Sequence, residues 1–154
     1  MERQLITFNL MEEEYGIDIL QVEGINRLKE ISITRVPRAE QFIEGVINLR
    51  GNVIPIIDLR KRFDLGSTPK DRDARIIVVQ IEEKLIGLLV DRVNEVVSVN
   101  TNNIGPPPEE VTQIDTQFLD GIARLKERLI LVLNVHEMLS SKEQEELVNM
   151  TEMK

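Results

Sequence analysis

The sequence predicts an all-β chain made of two similar halves packed on one another, with only short helices and a helix at its C-terminal end. Three observations carry this. Runs rich in Val, Ile and Leu recur along most of the chain, divided by short charged or glycine-containing turns. Several of these runs, notably 53–57, 85–90 and 129–133, are apolar without strict alternation. Both of their faces therefore need cover, and with helices scarce a second sheet must supply it. Finally, FIEGVINLRGNVIPIIDLRKRF at 42–63 repeats without gaps as FLDGIARLKERLILVLNVHEML at 118–139. Phe42 matches Phe118, Glu44 matches Asp120, Gly45 matches Gly121, Leu49 matches Leu125 and Asp58 faces Asn134. Two such halves, each too small to bury its own apolar face, would pack together.

The elements follow in order. Residues 4–19 read as two strands, LITFNL and YGIDI, separated by the charged turn Glu12-Glu13-Glu14. Residues 45–57 read as a hairpin, with Gly51-Asn52 as its two-residue turn because both residue types tolerate positive φ. RIIVVQI at 75–81 and LIGLLVDRVNEVVSV at 85–99 form a further hairpin around Glu82-Glu83-Lys84. Tyr15-Gly16-Ile17 also matches Ile86-Gly87-Leu88, a second and weaker repeat. Pro106-Pro107-Pro108 predicts an extended loop, since successive prolines fix φ and cannot donate to a sheet. Residues 140–150 predict a surface helix, opened by Ser140 three residues before Glu143 as a capping box.

Composition removes whole classes of function. The 154 residues hold no cysteine, which excludes disulfides and thiolate chemistry and suits a reducing cytosol. No stretch approaches the apolar length of a transmembrane helix, so a soluble, cytoplasmic protein without membrane insertion is expected. A formal charge of −8 and few aromatics argue against a nucleic-acid partner.

The chemistry of catalysis is also missing. No GxSxG elbow, GxxxxGK[ST] loop or GxGxxG follows a strand. The single histidine, His136, has no partners at metal-ligand spacing and reads as a surface or half-buried side chain, so neither metal nor cofactor is expected. Asp18, Asp58 and Asp91 follow strand ends, where a carboxylate caps a turn or helix more often than it catalyses. Arg50, in Asn48-Leu49-Arg50-Gly51, is read as the last strand residue before the turn. It is either a solvated side chain or an interface anchor, a role that suits its planar fork of donors.

EEEYGIDILQVEGI at 12–25, P-x(4)-FIEGVINLRGNVIPIIDLRKRF at 37–63, GLLVDRVNEVV at 87–97 and FLDGIARLKERLILVLNVHEML at 118–139 together resemble the CheW family across nearly the whole chain. The resemblance implies one domain of two five-stranded, SH3-like β-barrel lobes on a shared core, with 42–63 and 118–139 as the repeated segments. It implies a non-catalytic adaptor that binds the cytoplasmic helical hairpin of chemoreceptors and the regulatory domain of the kinase CheA. It points to Val22, Gly45, Arg50, Val93 and Val96 as receptor contacts. Family members often carry an acidic residue two positions after the counterpart of Val22, where this chain has Gly24. Two other readings stand beside it: a scaffold in a CheA-like pathway that does not control motility, and a small β-barrel enzyme using Asp18, Asp58 or Asp91.

Overall fold

The computed structural model describes residues 1–37, 39–106, 116–140 and 143–145. Two sheets account for it. The first, six-stranded in the order β8-β1-β2-β11-β10-β9, contains β1 (Glu2–Leu10), β2 (Glu13–Asp18), β8 (Arg92–Asn100), β9 (Ile104–Gly105), β10 (Leu119–Leu125) and β11 (Arg128–Leu133). The second, five-stranded in the order β3-β6-β7-β5-β4, contains β3 (Val22–Arg27), β4 (Ile43–Leu49), β5 (Asn52–Asp58), β6 (Arg75–Ile81) and β7 (Lys84–Val90). Each sheet defines one lobe. Helix among the described residues is short: α1 (Leu59–Arg62), a single turn, and a helical segment at 143–145.

The registers make the five strands of the second sheet equivalent to five of the first, and β9 is matched only by the isolated bridge between Thr34 and Val46. Gly45 faces Ile56 across β4–β5, and Gly121 faces Val132 across β10–β11, each beside a one-residue bulge. Ile56 lies parallel to Gly87 of β7, and Val132 parallel to Gly16 of β2. Thr7 pairs Gly16, and Val78 pairs Gly87. A Cβ at Gly87 would collide with the side chain of Ile56, and one at Gly16 would press on Ile130, so glycine lets the strands close up at the same place in both lobes.

Chain order is exchanged at two points. β2 lies in the first sheet, yet β3, only three residues later, pairs with β6 in the second. Likewise β7 lies in the second sheet, and β8, one residue later, pairs with β1 in the first. The apolar run at 85–99, expected to pair with 75–81 as one hairpin arm, divides at Asp91 into strands of different sheets. Its apolar pattern continues through the break because both parts touch the same core.

Burial divides into three clusters. Leu28, Ile47, Ile54, Ile56, Ile76, Val78 and Leu89 fill one lobe, and Leu5, Val97, Val99, Ala123, Ile130 and Val132 fill the other. The largest cluster lies between the sheets and draws Phe8, Leu10 and Ile17 from one and Ile57, Ile77, Val79 and Leu88 from the other. All five aromatic residues belong to it. Phe8, Tyr15, Phe63 and Phe118 form a chain of neighbouring rings with centroids 5.3–6.3 Å apart, and Phe42 lies under Arg62. Apolar area shared by both sheets is the main force holding the lobes together.

The β4–β5 turn differs by one residue from the expected hairpin. Leu49 pairs with Asn52, so Arg50 and Gly51 are the turn residues, with φ of 54° and 86°. Two positive φ values define a type I′ turn, and Asn48 supports it by accepting the Gly51 N–H at 3.1 Å. Arg50 is thus a turn residue rather than the last strand position. The capping box forms as expected: Glu143 Oε1 accepts the Ser140 N–H at 2.7 Å, and Ser140 Oγ accepts the Glu143 N–H at 3.1 Å. The rest of the predicted helix, beyond 145, and most of the Pro106-Pro107-Pro108 loop lie outside the described residues.

Candidate functional site

The two exchanged strands β3 and β8 are each at the edge of a sheet, and each carries a bulge at the same position. In β3, Val22 faces Val79 and Ile25 faces Ile77, with an extra residue between. In β8, Val93 faces Phe8 and Val96 faces Ile6 in the same manner. Residues three apart on a regular strand point to opposite faces. The bulge removes that alternation, so Val22 and Ile25 share one face, as do Val93 and Val96.

Within each pair the first valine packs half-buried against the inter-lobe core, and the second residue stays exposed, Ile25 at 41 % and Val96 at 50 %. Leu20, in the crossing between β2 and β3, is 90 % exposed. An exposed aliphatic residue on each edge strand, next to a core both lobes share, is a surface suited to an apolar partner. Ile25 was not among the residues expected from the sequence. Its signal was the Val-x-x-Ile of β3 set against the Val-x-x-Val of β8, which the weaker repeat brings into register.

The bulge in β8 is held from behind. Thr7 is fully buried, donates to the Glu95 carbonyl at 3.2 Å and receives the Glu95 N–H at 3.4 Å. Arg50 stands apart, at the mouth of the five-stranded lobe. It borders a groove with Glu23, Gly24, Ile25 and Asn26 of β3, which ties it to that edge strand. Gly45 is elsewhere on β4 and is buried. A Cβ there would strike the Thr34 carbonyl, and its φ is 145°, so it serves backbone packing and presents no side chain to a partner. Of the five expected contacts, Val22, Val93 and Val96 thus line the two edges, Arg50 adjoins β3, and Gly45 lies inside.

The three carboxylates considered for catalysis are occupied by structure. Asp58 is wholly buried and accepts the Arg60 N–H at 3.0 Å, the Thr68 N–H at 3.0 Å and the Thr68 hydroxyl at 2.6 Å. The two Asp91 carboxylate oxygens accept from one edge of the Arg60 guanidinium, Nε and Nη2, and Asp91 also accepts the Met11 N–H at 2.9 Å, which joins α1 to the β1–β2 turn across the lobe junction. Asp18 caps the crossing after β2 through the Leu20 N–H at 3.0 Å and pairs with Arg3 at 3.3 Å. His136 is exposed and lies 3.3 Å from the Gln21 side-chain amide. Among the described residues no group of three His, Cys, Asp or Glu could hold a metal ion, and no helix is long and apolar enough to cross a membrane.

Cationic partners set the net sign at two covered carboxylates. Burial pushes the Glu44 carboxyl up, but Lys61 at 2.7 Å and Lys70 at 3.1 Å outweigh it and leave its pKa lowered. Burial likewise raises Glu14, and hydrogen bonds from Arg128, Thr7 and Asn94 reverse the sign. These are structural pairings, and none places an acid and a base around an open position where substrate would sit.

The CheW-like domain family matches residues 4–143. The chain is 35 % identical over 151 residues to a chemotaxis protein CheW of Treponema pallidum, covering 96 % of this chain and 88 % of that protein. It is 37 % identical over 141 residues to a chemotaxis protein CheW of Klebsiella aerogenes, covering 92 % and 84 %. A crystal structure of the scaffolding protein TtCheW from Thermoanaerobacter tengcongensis superposes with a TM-score of 0.84 at 44 % identity, over 93 % of this chain and 96 % of that one.

Proposed function

The chain belongs to the CheW family, and from that we propose that it is a non-catalytic chemotaxis adaptor coupling the cytoplasmic helical hairpin of a chemoreceptor to the regulatory domain of a CheA-type histidine kinase. It works in the cytoplasm and joins receptor arrays by binding, without inserting into the membrane. The two lobes act as one domain, since neither covers its inner face without the other.

The observation that carries this reading is the pair of bulged edge strands. Val22, Ile25, Val93 and Val96 present apolar surface on either side of the inter-lobe core, which is what an amphipathic helix needs as a seat. Arg50 extends the β3 side with a cation, and Gly45 supports the β4 backbone behind it. The kinase domain takes a separate surface, so both partners are held at once. Regulation then comes from unequal affinity for the receptor's signalling states.

The test is binding of a receptor cytoplasmic fragment and of the isolated kinase regulatory domain, each measured by calorimetry. Val96→Glu is expected to weaken receptor binding by about tenfold or more while kinase-domain binding is retained. Retained receptor affinity in that variant rejects the edge-strand surface. Failure of the unmodified protein to bind either partner rejects the adaptor reading.

A further inference from the structure

The two edge bulges lie at equivalent places, and the chain holds them differently. Thr7 of β1 pairs with Gly16 and stands opposite Asn94 and Glu95, the two β8 residues between the Val93 and Val96 pairings. Val78 of β6 pairs with Gly87 and stands opposite Glu23 and Gly24 of β3. Thr7 and Val78 are therefore counterparts. Both are buried and their side chains have nearly the same shape, but only Thr7 carries a hydroxyl.

That hydroxyl meets both backbone groups of Glu95, donating to the carbonyl at 3.2 Å and accepting the N–H at 3.4 Å. A bulge disrupts the ladder locally, and a covered backbone group left without a partner is costly. Thr7 supplies the partners. Its hydrogen is shared with the Glu14 carboxylate, which Arg128 and Asn94 also hold. The side chains of the bulge are tied down as well: Asn94 donates to Asn9 at 2.6 Å, and the Glu95 carboxylate pairs with Arg128 at 3.3 Å. Among the described residues no side-chain hydrogen bond or ion pair reaches Glu23 or Gly24, where Val78 offers only methyl groups.

The phase of β8 depends on this bulge. Val97 and Val99 are buried inside the six-stranded lobe, whereas Val93 packs on the inter-lobe core with Val96 exposed beside it. On a regular strand Val93, Val97 and Val99 would share one face. The added residue lets Val93 and Val96 face the lobe junction together while Val97 and Val99 stay inside.

We propose that Thr7 is a positioning residue for receptor binding: it touches no partner itself, and by fixing the β8 bulge it presents Val93 and Val96 in phase. The proposal rests on the receptor reading above. Thr7→Val removes the hydroxyl and keeps the shape, and Val78 shows that the fold accepts valine at this place in the other lobe.

Thermal melting checks that Thr7→Val folds, and hydrogen exchange is then followed by NMR in it and in the unmodified protein. Exchange at Asn94, Glu95 and Val96 is expected to rise at least about tenfold, with β6 and β7 unchanged. Affinity for a receptor cytoplasmic fragment is expected to fall at least about fivefold in Thr7→Val and to return in Thr7→Ser, while affinity for the kinase regulatory domain holds. A double-mutant cycle with Val96→Ala separates positioning from a general loss of stability. If Thr7 acts by presenting Val96, Thr7→Val changes receptor affinity by less than about twofold once Val96 is truncated. Unchanged exchange at 94–96, full receptor affinity in Thr7→Val, additive effects in the cycle, or a parallel loss of kinase-domain affinity each overturns the proposal. Faster exchange at 94–96 in Thr7→Val, with no receptor binding by the unmodified protein, instead overturns the receptor reading and with it the role given to Thr7.

Discussion

Phe42 and Phe118 share one guanidinium: Arg62 lies 4.9 Å from the ring centre of the first and 5.0 Å from that of the second. The two rings hold equivalent positions in the two lobes. Arg62 also donates to the Met138 carbonyl at 2.6 Å and to Glu143 at 3.3 Å. One side chain of α1 therefore ties both repeats and the start of the C-terminal helix together.

Arg62→Ala removes two cation–π contacts and two charge-assisted hydrogen bonds, to the Met138 carbonyl and to Glu143, at a largely covered position, and is expected to cost about 2–3 kcal/mol. Urea denaturation measures it. Hydrogen exchange should rise at residues 135–145, with little change in β3 and β6.

Asp58→Ala leaves the Arg60 and Thr68 N–H groups and the Thr68 hydroxyl without their acceptor. A loss of about 2–4 kcal/mol is expected, with faster exchange across 60–68. Asp58→Asn, which retains one acceptor oxygen, should fall between the two.

The pH dependence has two limbs. Glu14 and Glu44 have lowered pKa values in the folded protein, so their contribution is present above the ordinary value of 4.5 and is lost as pH falls through the folded values. Acid unfolding should therefore steepen below about pH 4.5 and be shallower in Glu44→Gln. Tyr15 moves the other way. Burial, assisted by Glu13, pushes it up to about 12, so its share of stability is complete below its ordinary value of 10 and disappears as pH rises through the folded one. Absorbance at the phenolate band should show no tyrosine ionisation near pH 10 while the protein remains folded.

The five-stranded lobe is contiguous, running from Val22 to Val90. Excised alone it exposes Ile57, Ile77, Val79 and Leu88, which pack between the lobes. The fragment is expected to lack a cooperative thermal transition, and a sharp transition like that of the whole chain would contradict the single-domain account.

Much of this was legible in the residues. Phe42 against Phe118 and Gly45 against Gly121 announced paired elements that the registers superimpose, and Ser140 with Glu143 announced a cap that forms. The strand exchange was not legible, because Asp91 interrupts an apolar run whose two parts both face the shared core. Nor was the turn at Arg50, since Gly-Asn and Arg-Gly are both plausible centres and only the Asn48 side-chain bond and the positive φ at Arg50 select the second. The edge-strand site was visible in part. Val22, Val93 and Val96, named from the resemblance, fall on the two bulged edge strands, whereas Gly45, named with them, is packed inside, and Ile25 was not named because bulges cannot be read from spacing.

The central claim is that this chain holds a receptor and a kinase together. Its most direct test is co-sedimentation of the chain with a receptor cytoplasmic fragment on vesicles and a CheA-type kinase, while kinase autophosphorylation is followed. Kinase should reach the vesicles and change activity only when the chain is present, and Val96→Glu should abolish both effects. Recruitment and activity that are the same with and without the chain would contradict the account.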